Sequence, residues 1–111
     1  MSSFDFYCEV AIPRTIELDV VYESESVLAF HHTKPSYERH IVVVPKKHIV
    51  DLSLVEDEDD ATIAEIIRVC STVLASWSDK SEMGAKVITN LGKFQDTPHL
   101  HFHVILGKPF V

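Results

Sequence analysis

Three histidines alternate with apolar residues near the end of the sequence, at His99, His101 and His103. They belong to a wider excess, because the chain of 111 residues contains seven histidines. Residues i, i+2 and i+4 of a β-strand share one face. The spacing therefore predicts that three imidazoles line up on one face of a strand, while the apolar residues between them face a core.

A row of three imidazoles favours separate roles for the rings over one shared metal ion. Strand residues rise by about 3.4 Å each, so the Cα atoms of His99 and His103 are expected roughly 13 Å apart. Zinc holds nitrogen ligands at about 2.0–2.1 Å, which three rings on a straight strand cannot easily satisfy together, whereas two of them could with a ligand from elsewhere. A neutral imidazole could instead attack phosphorus while a neighbour gives a proton to the leaving group. The alternative is a histidine-rich strand without chemistry, or an adventitious metal site.

Short runs of β-branched and apolar residues predict the strands around this row. A buried strand is expected over His40–Val44, where valines and isoleucine are followed by Pro45. Further strands are predicted at Thr15–Tyr22, Val27–His31, Ala85–Thr89 and His99–Leu106, with a loop from Asn90 to Pro98. Pro13 limits any helix within residues 4–11 to about one or two turns.

One long helix is predicted from Asp57 to Trp77. Its apolar stripe consists of Ile63, Ile66, Ile67, Cys70, Val73, Leu74 and Trp77. The acidic run over 56–60 suits the positive end of the helix dipole, and a solvated helix start is favoured over a cation site. Strands around one helix predict an α+β fold: a single domain over residues 1–111 with a mostly antiparallel five-stranded sheet, one long helix and a short N-terminal helix.

Composition excludes several classes of function. The net charge of −7 argues against binding a nucleic acid polymer, which requires clustered Lys and Arg. Two cysteines, Cys8 and Cys70, do not form a disulfide scaffold and suit a reducing compartment. We find neither a signal peptide nor an apolar run of membrane-spanning length, so a cytoplasmic protein without membrane contact is expected.

Several blocks of the sequence resemble the histidine-triad (HIT) superfamily, whose signature is His-φ-His-φ-His-φ-φ with φ hydrophobic. Residues 99–105 match every position of this signature. The block from Arg39 to Ile49 resembles the family's His-φ-φ-φ-φ-Pro-Lys-x-His segment, and Val87–Gly92 resembles its φ-x-Asn-x-Gly segment. The resemblance covers about residues 6–107 and is nearest to the nucleotide-binding, phosphoramidase-like branch.

The resemblance implies a nucleotide-binding hydrolase or transferase acting at the α-phosphorus of a nucleoside phosphate derivative. His101 would be the nucleophile that forms a nucleotidyl-histidine intermediate, and His103 would hydrogen-bond the scissile bridge or the leaving group. His99 and His40 would orient and polarise the row, although each is also compatible with a plain buried histidine. The resemblance leads us to expect neither a cofactor nor a metal in the reaction.

The family's nucleotide-binding positions match Asn90, Gln95, His32, Phe30, Phe6, Tyr7 and Val10. Asn90 would contact phosphate or ribose, or else is a turn residue before Gly92, and the apolar positions would form a base pocket or only a core. His32 departs from the Asp or Asn that usually binds ribose. Phe94 replaces a glycine, and Asp96 places a negative charge where a hydroxyl usually assists the leaving group.

Two further family features have partial counterparts here. Some microbial members hold a structural zinc with a Cys-x-x-Cys pair and two histidines, and Asp5 replaces the first cysteine in this chain. This leaves Asp5, Cys8, His48 and His99 as an alternative metal set, with His48 otherwise a structural polar residue. Members commonly form homodimers, for which the matching surfaces are Ala85–Thr89 and the Trp77 end of the long helix.

The resemblance supports three hypotheses on function. The leading one is hydrolysis of nucleoside 5′-phosphoramidates or related nucleotide conjugates through His101. The second is a dinucleoside polyphosphate hydrolase of the fragile-histidine-triad type, with the same nucleophile and a longer substrate. The third is a nucleotide- or metal-binding regulatory module with low activity, suggested by His32, Phe94 and Asp96.

Overall fold

Five strands form one sheet in the order β1-β2-β3-β5-β4, and every pairing is antiparallel. The computed structural model describes residues 4–77 and 84–110. The strands are β1 Val20–Glu23, β2 Val27–His31, β3 Tyr37–Pro45, β4 Ala85–Thr89 and β5 Phe102–Pro109. The central strands are buried because β-branched and apolar side chains of β2 and β3 meet cover on both faces. This architecture confirms the predicted α+β fold.

The long helix α1, Asp60–Ser76, covers one face of the sheet. Its buried residues Ile66, Val69, Cys70 and Val73 pack with apolar residues of β2, β3 and β5. Trp77 closes the same core at the end of the helix. The predicted stripe was wrong at Ile67, which is exposed, because the helix buries the row that includes Val69 instead.

The helix begins three residues later than predicted because its first residues form a tighter turn. Asp57–Asp59 is a 3₁₀ turn, and Glu56 and Asp59 cap each other reciprocally. The Glu56 N–H donates to the Asp59 carboxylate over 3.0 Å. The acidic run is thus part of a helix start, as the sequence predicts.

A one-turn π-helix, Tyr7–Ala11, covers the opposite face of the sheet. Tyr7 and Ala11 pack there in a second core whose other members are Leu28, Phe30, Val42 and Val44. The short N-terminal helix is therefore confirmed, and it forms a wall above one face of the sheet. None of the helices in the described residues is long and apolar enough to cross a membrane.

Three predicted strands start at different residues in the structure. The strand predicted over His40–Val44 is longer, Tyr37–Pro45, because β5 pairs with it as far back as Tyr37. The strand predicted from Thr15 begins only at Val20, because Arg14 has a positive φ of 62° and the Thr15 N–H still donates to Val10 O of the N-terminal turn. The strand predicted from His99 begins at Phe102, because the Leu100 N–H donates over 2.6 Å to Ile49 O in the loop after β3.

The loop predicted from Asn90 to Pro98 contains one 3₁₀ turn, Gly92–Phe94. The side chains from His99 to Phe102 still alternate between the two faces of the sheet, although β5 begins only at Phe102. Leu100 and Phe102 are buried in the core beneath α1, whereas the Tyr7 ring packs against the His99 and His101 rings from the other side.

Candidate active site

Adjacent strands bring His40 and His103 together. The register pairs Val42 with His103 and His40 with Ile105, so both histidines lie on the face covered by the N-terminal turn. Their Nε2 and Nδ1 atoms are 2.8 Å apart. The His101 ring lies 4.8 Å from the His103 ring, and the His40 ring lies 5.0 Å from it on the other side. The three rings form a continuous row.

A backbone donor determines the direction of the hydrogen bond between His40 and His103. The Ser36 N–H donates to Nδ1 of His40 over 3.1 Å, so the proton of a neutral His40 is on Nε2 and is donated to Nδ1 of His103. The proton of a neutral His103 must then be on Nε2. Burial lowers the pKa of His40 to about 4. Burial and the neighbouring His101 lower the pKa of His103 to about 3. Both rings are neutral at pH 7, and His103 presents an N–H donor.

The opposite arrangement holds at His101. Its Nδ1–H donates to the carbonyl oxygen of His99 over 2.7 Å, which leaves the lone pair of a neutral ring on Nε2. Burial lowers the pKa of His101, so the ring is neutral at pH 7. His101 is 2% exposed. Nε2 of His101 has no hydrogen-bond partner among the described residues. Every fully buried side-chain nitrogen of these residues does have a partner, so Nε2 is not fully buried and retains access to solvent. A neutral imidazole with a free Nε2 lone pair is a nucleophile.

His99 anchors the start of the row. Its side chain is fully buried, and its Nε2–H donates to Pro45 O over 2.8 Å. Its Nδ1 lies 2.8 Å from Oδ2 of Asp5. The other carboxylate oxygen of Asp5 accepts the N–H groups of Tyr7 and Cys8 over 2.9 and 3.0 Å. His99 therefore connects the end of β3 to the N-terminal turn, and its carbonyl orients His101.

Two cavities flank the row and share His32, Lys34 and Asp96. The first, of about 380 Å³, is lined mainly by aromatic side chains: Phe4, Phe6, Tyr7 and Phe30. The second, of about 430 Å³, is lined by polar groups and two isoleucines: Ser36, Tyr37, His40, Ile88, Asn90, His103 and Ile105. Tyr7 lines the first cavity and contacts His101, while His103 lines the second, so His101 lies between them. Sites for small organic ligands have this size and mixture of groups.

The structure brings most of the predicted nucleotide-binding residues to these cavities. Phe6, Tyr7, Phe30 and His32 line the aromatic cavity, and Asn90 lines the polar one. Two residues are placed elsewhere. The Gln95 amide donates to Val50 O over 2.7 Å, and Val10 is not among the residues that line either cavity.

Sequence reasoning missed several groups in the site. Lys34 and Tyr37 line the polar cavity, and the Ser36 N–H orients His40. Lys34 and Ser36 lie in the stretch that joins β2 to β3, Tyr37 is the first residue of β3, and their spacing matches no pattern. The signal that could have drawn attention to them is their position between His32 and His40, two histidines that line the polar cavity.

His32 stacks on His40, with ring centroids 4.4 Å apart. Its Nδ1 accepts the Lys34 N–H over 3.0 Å, and burial lowers its pKa. His32, His40 and His103 offer ligand atoms within 4.8 Å of one another, but the backbone donors at His32 and His40 place the ring protons on Nε2. A metal would need those nitrogens free, so this set does not fit a metal ion and instead forms a hydrogen-bonded stack.

The alternative metal set is brought together on the far side of His99. Ligand atoms of Asp5, Cys8, His48 and His99 all lie within 4.8 Å of one another. Oδ2 of Asp5 lies 2.6 Å from Nδ1 of His48 and 2.8 Å from Nδ1 of His99, and Cys8 Sγ lies 3.4 Å from the latter atom. One sulfur, one oxygen and two nitrogens are ligands that zinc accepts.

The surroundings of His99 also suit this metal. The Nε2–H of His99 donates to a backbone carbonyl, which is the outer contact that metal-bound histidines usually make. Burial and the Asp5 carboxylate raise the pKa of the Cys8 thiol to about 11, so an incoming ion must displace its proton. These residues fit zinc, which would cross-link the N-terminal turn to His99 and His48 as a structural element. That no metal takes part in the reaction stays a prediction.

The fold and this site define a small α+β domain whose sheet presents a row of hydrogen-bonded histidines between two cavities. The model of the HIT domain family matches residues 14–110, and the chain belongs to that family. It is 36% identical over 91 residues to a 13.2 kDa HIT-like protein of Azospirillum brasilense, an overlap of 79% of this chain and 74% of the relative.

Solved structures show the same fold. A HIT family hydrolase of Legionella pneumophila superposes with a TM-score of 0.80 at 28% identity, over 97% of this chain and 96% of that protein. A histidine triad nucleotide-binding protein of Candida albicans superposes with a TM-score of 0.75 at 25% identity, over 95% and 76% of the two chains. Both matches therefore cover nearly the whole chain.

Proposed function

We propose that this protein is a nucleotide hydrolase that cleaves nucleoside 5′-phosphoramidates, with His101 as the nucleophile. Nε2 of His101 attacks the α-phosphorus, and the bond from phosphorus to the leaving nitrogen breaks with its electron pair on nitrogen. A proton from solvent reaches that nitrogen, to which Nε2–H of His103 donates a hydrogen bond, and the amine departs. Water then adds to phosphorus and releases one proton. The bond to Nε2 breaks, giving the nucleoside monophosphate and a neutral His101.

The arrangement of protons in the row carries this proposal. The His99 carbonyl binds Nδ1–H of His101 and thereby leaves the lone pair on Nε2. The chain from the Ser36 N–H through His40 leaves an N–H on Nε2 of His103. A nucleophile and a donor therefore stand side by side, which displacement at phosphorus requires. Because burial keeps both rings neutral at pH 7, no separate base is needed to deprotonate the nucleophile.

The two cavities supply places for the two ends of the substrate. We place the base against Phe6 and Phe30 in the aromatic cavity and the leaving group in the polar cavity beside Asn90. The phosphate then lies at the border, near His101 and His103. Similar structures named as a HIT family hydrolase and as a histidine triad nucleotide-binding protein support nucleotide hydrolysis in general.

Intact-mass spectrometry after rapid quenching tests the proposal. The protein is mixed with adenosine 5′-phosphoramidate and, separately, with a diadenosine polyphosphate, and both the protein mass and the released monophosphate are measured. We expect a nucleotidyl adduct and monophosphate with the phosphoramidate, and neither with His101→Ala. His31→Ala is the matched control, because His31 is exposed at the end of β2 and lines neither cavity. Absence of both products with both substrates would refute hydrolysis.

We also propose a homodimer formed through β4. This strand ends the sheet order and pairs only with β5 among the described strands, so its other edge is open. Val87 at its centre is 39% exposed. An open, partly apolar edge strand is suited to pairing with a second copy of the chain.

A further inference from the structure

Asp96 occupies a position that the reaction itself does not require. It lies between the turn Gly92–Phe94 and His99, and it lines both the aromatic and the polar cavity. Its carboxylate acts electrostatically on His101, His32 and Tyr7, which places the charge within reach of the nucleophile. A negative charge beside an attacking imidazole opposes any further negative charge on the incoming substrate.

The polar cavity has no excess of positive charge that would attract an anion despite the Asp96 carboxylate. Among the residues that line it, Lys34 is the one permanent cation and Asp96 is the one carboxylate. The three histidines that line the same cavity have lowered pKa values and are neutral at pH 7. The permanent charges therefore cancel, and no surplus positive charge is available to bind extra phosphate groups of a leaving group.

We propose that Asp96 determines leaving-group specificity: it disfavours anionic leaving groups and favours neutral or cationic amines. This inference rests on the proposed function, because it concerns which leaving groups His101 displaces. The effect is electrostatic repulsion or attraction across the border of the two cavities, weakened by the solvent that reaches the exposed Asp96. Dinucleoside polyphosphates, whose leaving group carries several charges, are poor substrates for the same reason.

A matched substrate series tests the role of Asp96. Three adenosine 5′-phosphoramidates carry leaving amines of equal length that end in a methyl, an ammonium or a carboxylate group, and kcat/KM is measured for each. In the wild-type protein we expect the order cationic, neutral, anionic. Asp96→Asn should reduce the ratio of cationic to anionic substrate by about threefold or more. Asp96→Glu should largely restore that ratio, and Asp19→Asn should leave it unchanged, since Asp19 has an 81% exposed side chain away from both cavities.

A binding measurement separates failure of this inference from failure of the proposed function. Calorimetry compares the affinities for adenosine monophosphate and adenosine triphosphate in the wild type and in Asp96→Asn, and it requires no turnover. We expect Asp96→Asn to shift the ratio of these affinities towards the triphosphate. If no amidate is hydrolysed but the ratio of affinities shifts in Asp96→Asn, the proposed reaction is refuted and the charge selectivity of Asp96 is supported. Hydrolysis with ratios unchanged in Asp96→Asn would refute the selectivity and leave the reaction intact.

Discussion

Because the buried His40 is neutral in the folded protein, we predict that the free energy of unfolding falls by a calculable amount at acid pH. Its pKa is about 4 in the folded protein, against about 6.5 for an unfolded histidine. Between these values the unfolded chain binds a proton that the folded chain does not. Stability is therefore complete above pH 6.5 and is lost as the pH falls towards 4. The perturbation is a change from pH 7 to pH 5, combined with His40→Gln.

The expected size follows from the two pKa values. One pKa unit corresponds to about 1.4 kcal/mol, so the full difference is worth about 3 kcal/mol, of which about 2 kcal/mol is lost between pH 7 and pH 5. The window ends at pH 5 because carboxylates with lowered pKa values, such as Asp5 and Asp59, contribute at lower pH. Glutamine does not titrate, so His40→Gln should lose about 2 kcal/mol less than the wild type over this interval.

Urea unfolding followed by the fluorescence of Trp77, the single tryptophan, measures both free energies. Trp77 is buried at the end of α1, so unfolding changes its surroundings. His31→Gln is the control, because His31 is exposed and should leave the pH dependence of the wild type unchanged. The reasoning is refuted if His40→Gln loses as much stability between pH 7 and pH 5 as the wild type does.

Three more predictions concern catalysis, metal binding and assembly. Burial lowers the pKa of His101, so kcat/KM for a phosphoramidate should decline on the acid side only below pH 6.5, and a decline beginning at higher pH would contradict a neutral buried nucleophile. Titration with Co²⁺ should produce the absorption of a tetrahedral cobalt thiolate that Cys8→Ser abolishes and Cys70→Ser retains, whereas equal spectra would exclude Cys8 as a ligand. Sedimentation should show a dimer of the 12.6 kDa chain that Val87→Asp weakens, and a wild-type monomer would refute assembly through β4.

The bounds of two strands could be predicted because their local patterns agree with their tertiary environment. Val27–His31 and Ala85–Thr89 have the predicted bounds, since each is a short run of strand-forming residues between turns. The first strand was predicted too early because its alternation continues into residues that remain tied to the N-terminal turn through Thr15. Alternation describes which side chains share a face, but it does not show whether a neighbouring strand is there to pair with.

The histidine segment shows the same distinction at the site. The alternation of His99, His101 and His103 predicts a row opposite an apolar face, and the structure has that row although Phe102 is the first residue of β5. Which of the predicted nucleotide-binding residues reach the cavities could not be predicted in the same way. Gln95 has a suitable position in the sequence, but its amide is bound to Val50 O, a partner 45 residues away.

By itself, the sequence determined the types of group available for chemistry, the side of the sheet on which they lie and the family to which they belong. Only the tertiary structure decided where the protons are. The Ser36 N–H, the His99 carbonyl and the contact between His40 and His103, which are 63 residues apart, assign a lone pair to one ring and a donor to the next. The physical reason is that a neutral imidazole can carry its proton on either of two nitrogens, and its hydrogen-bond partners in the fold select between them.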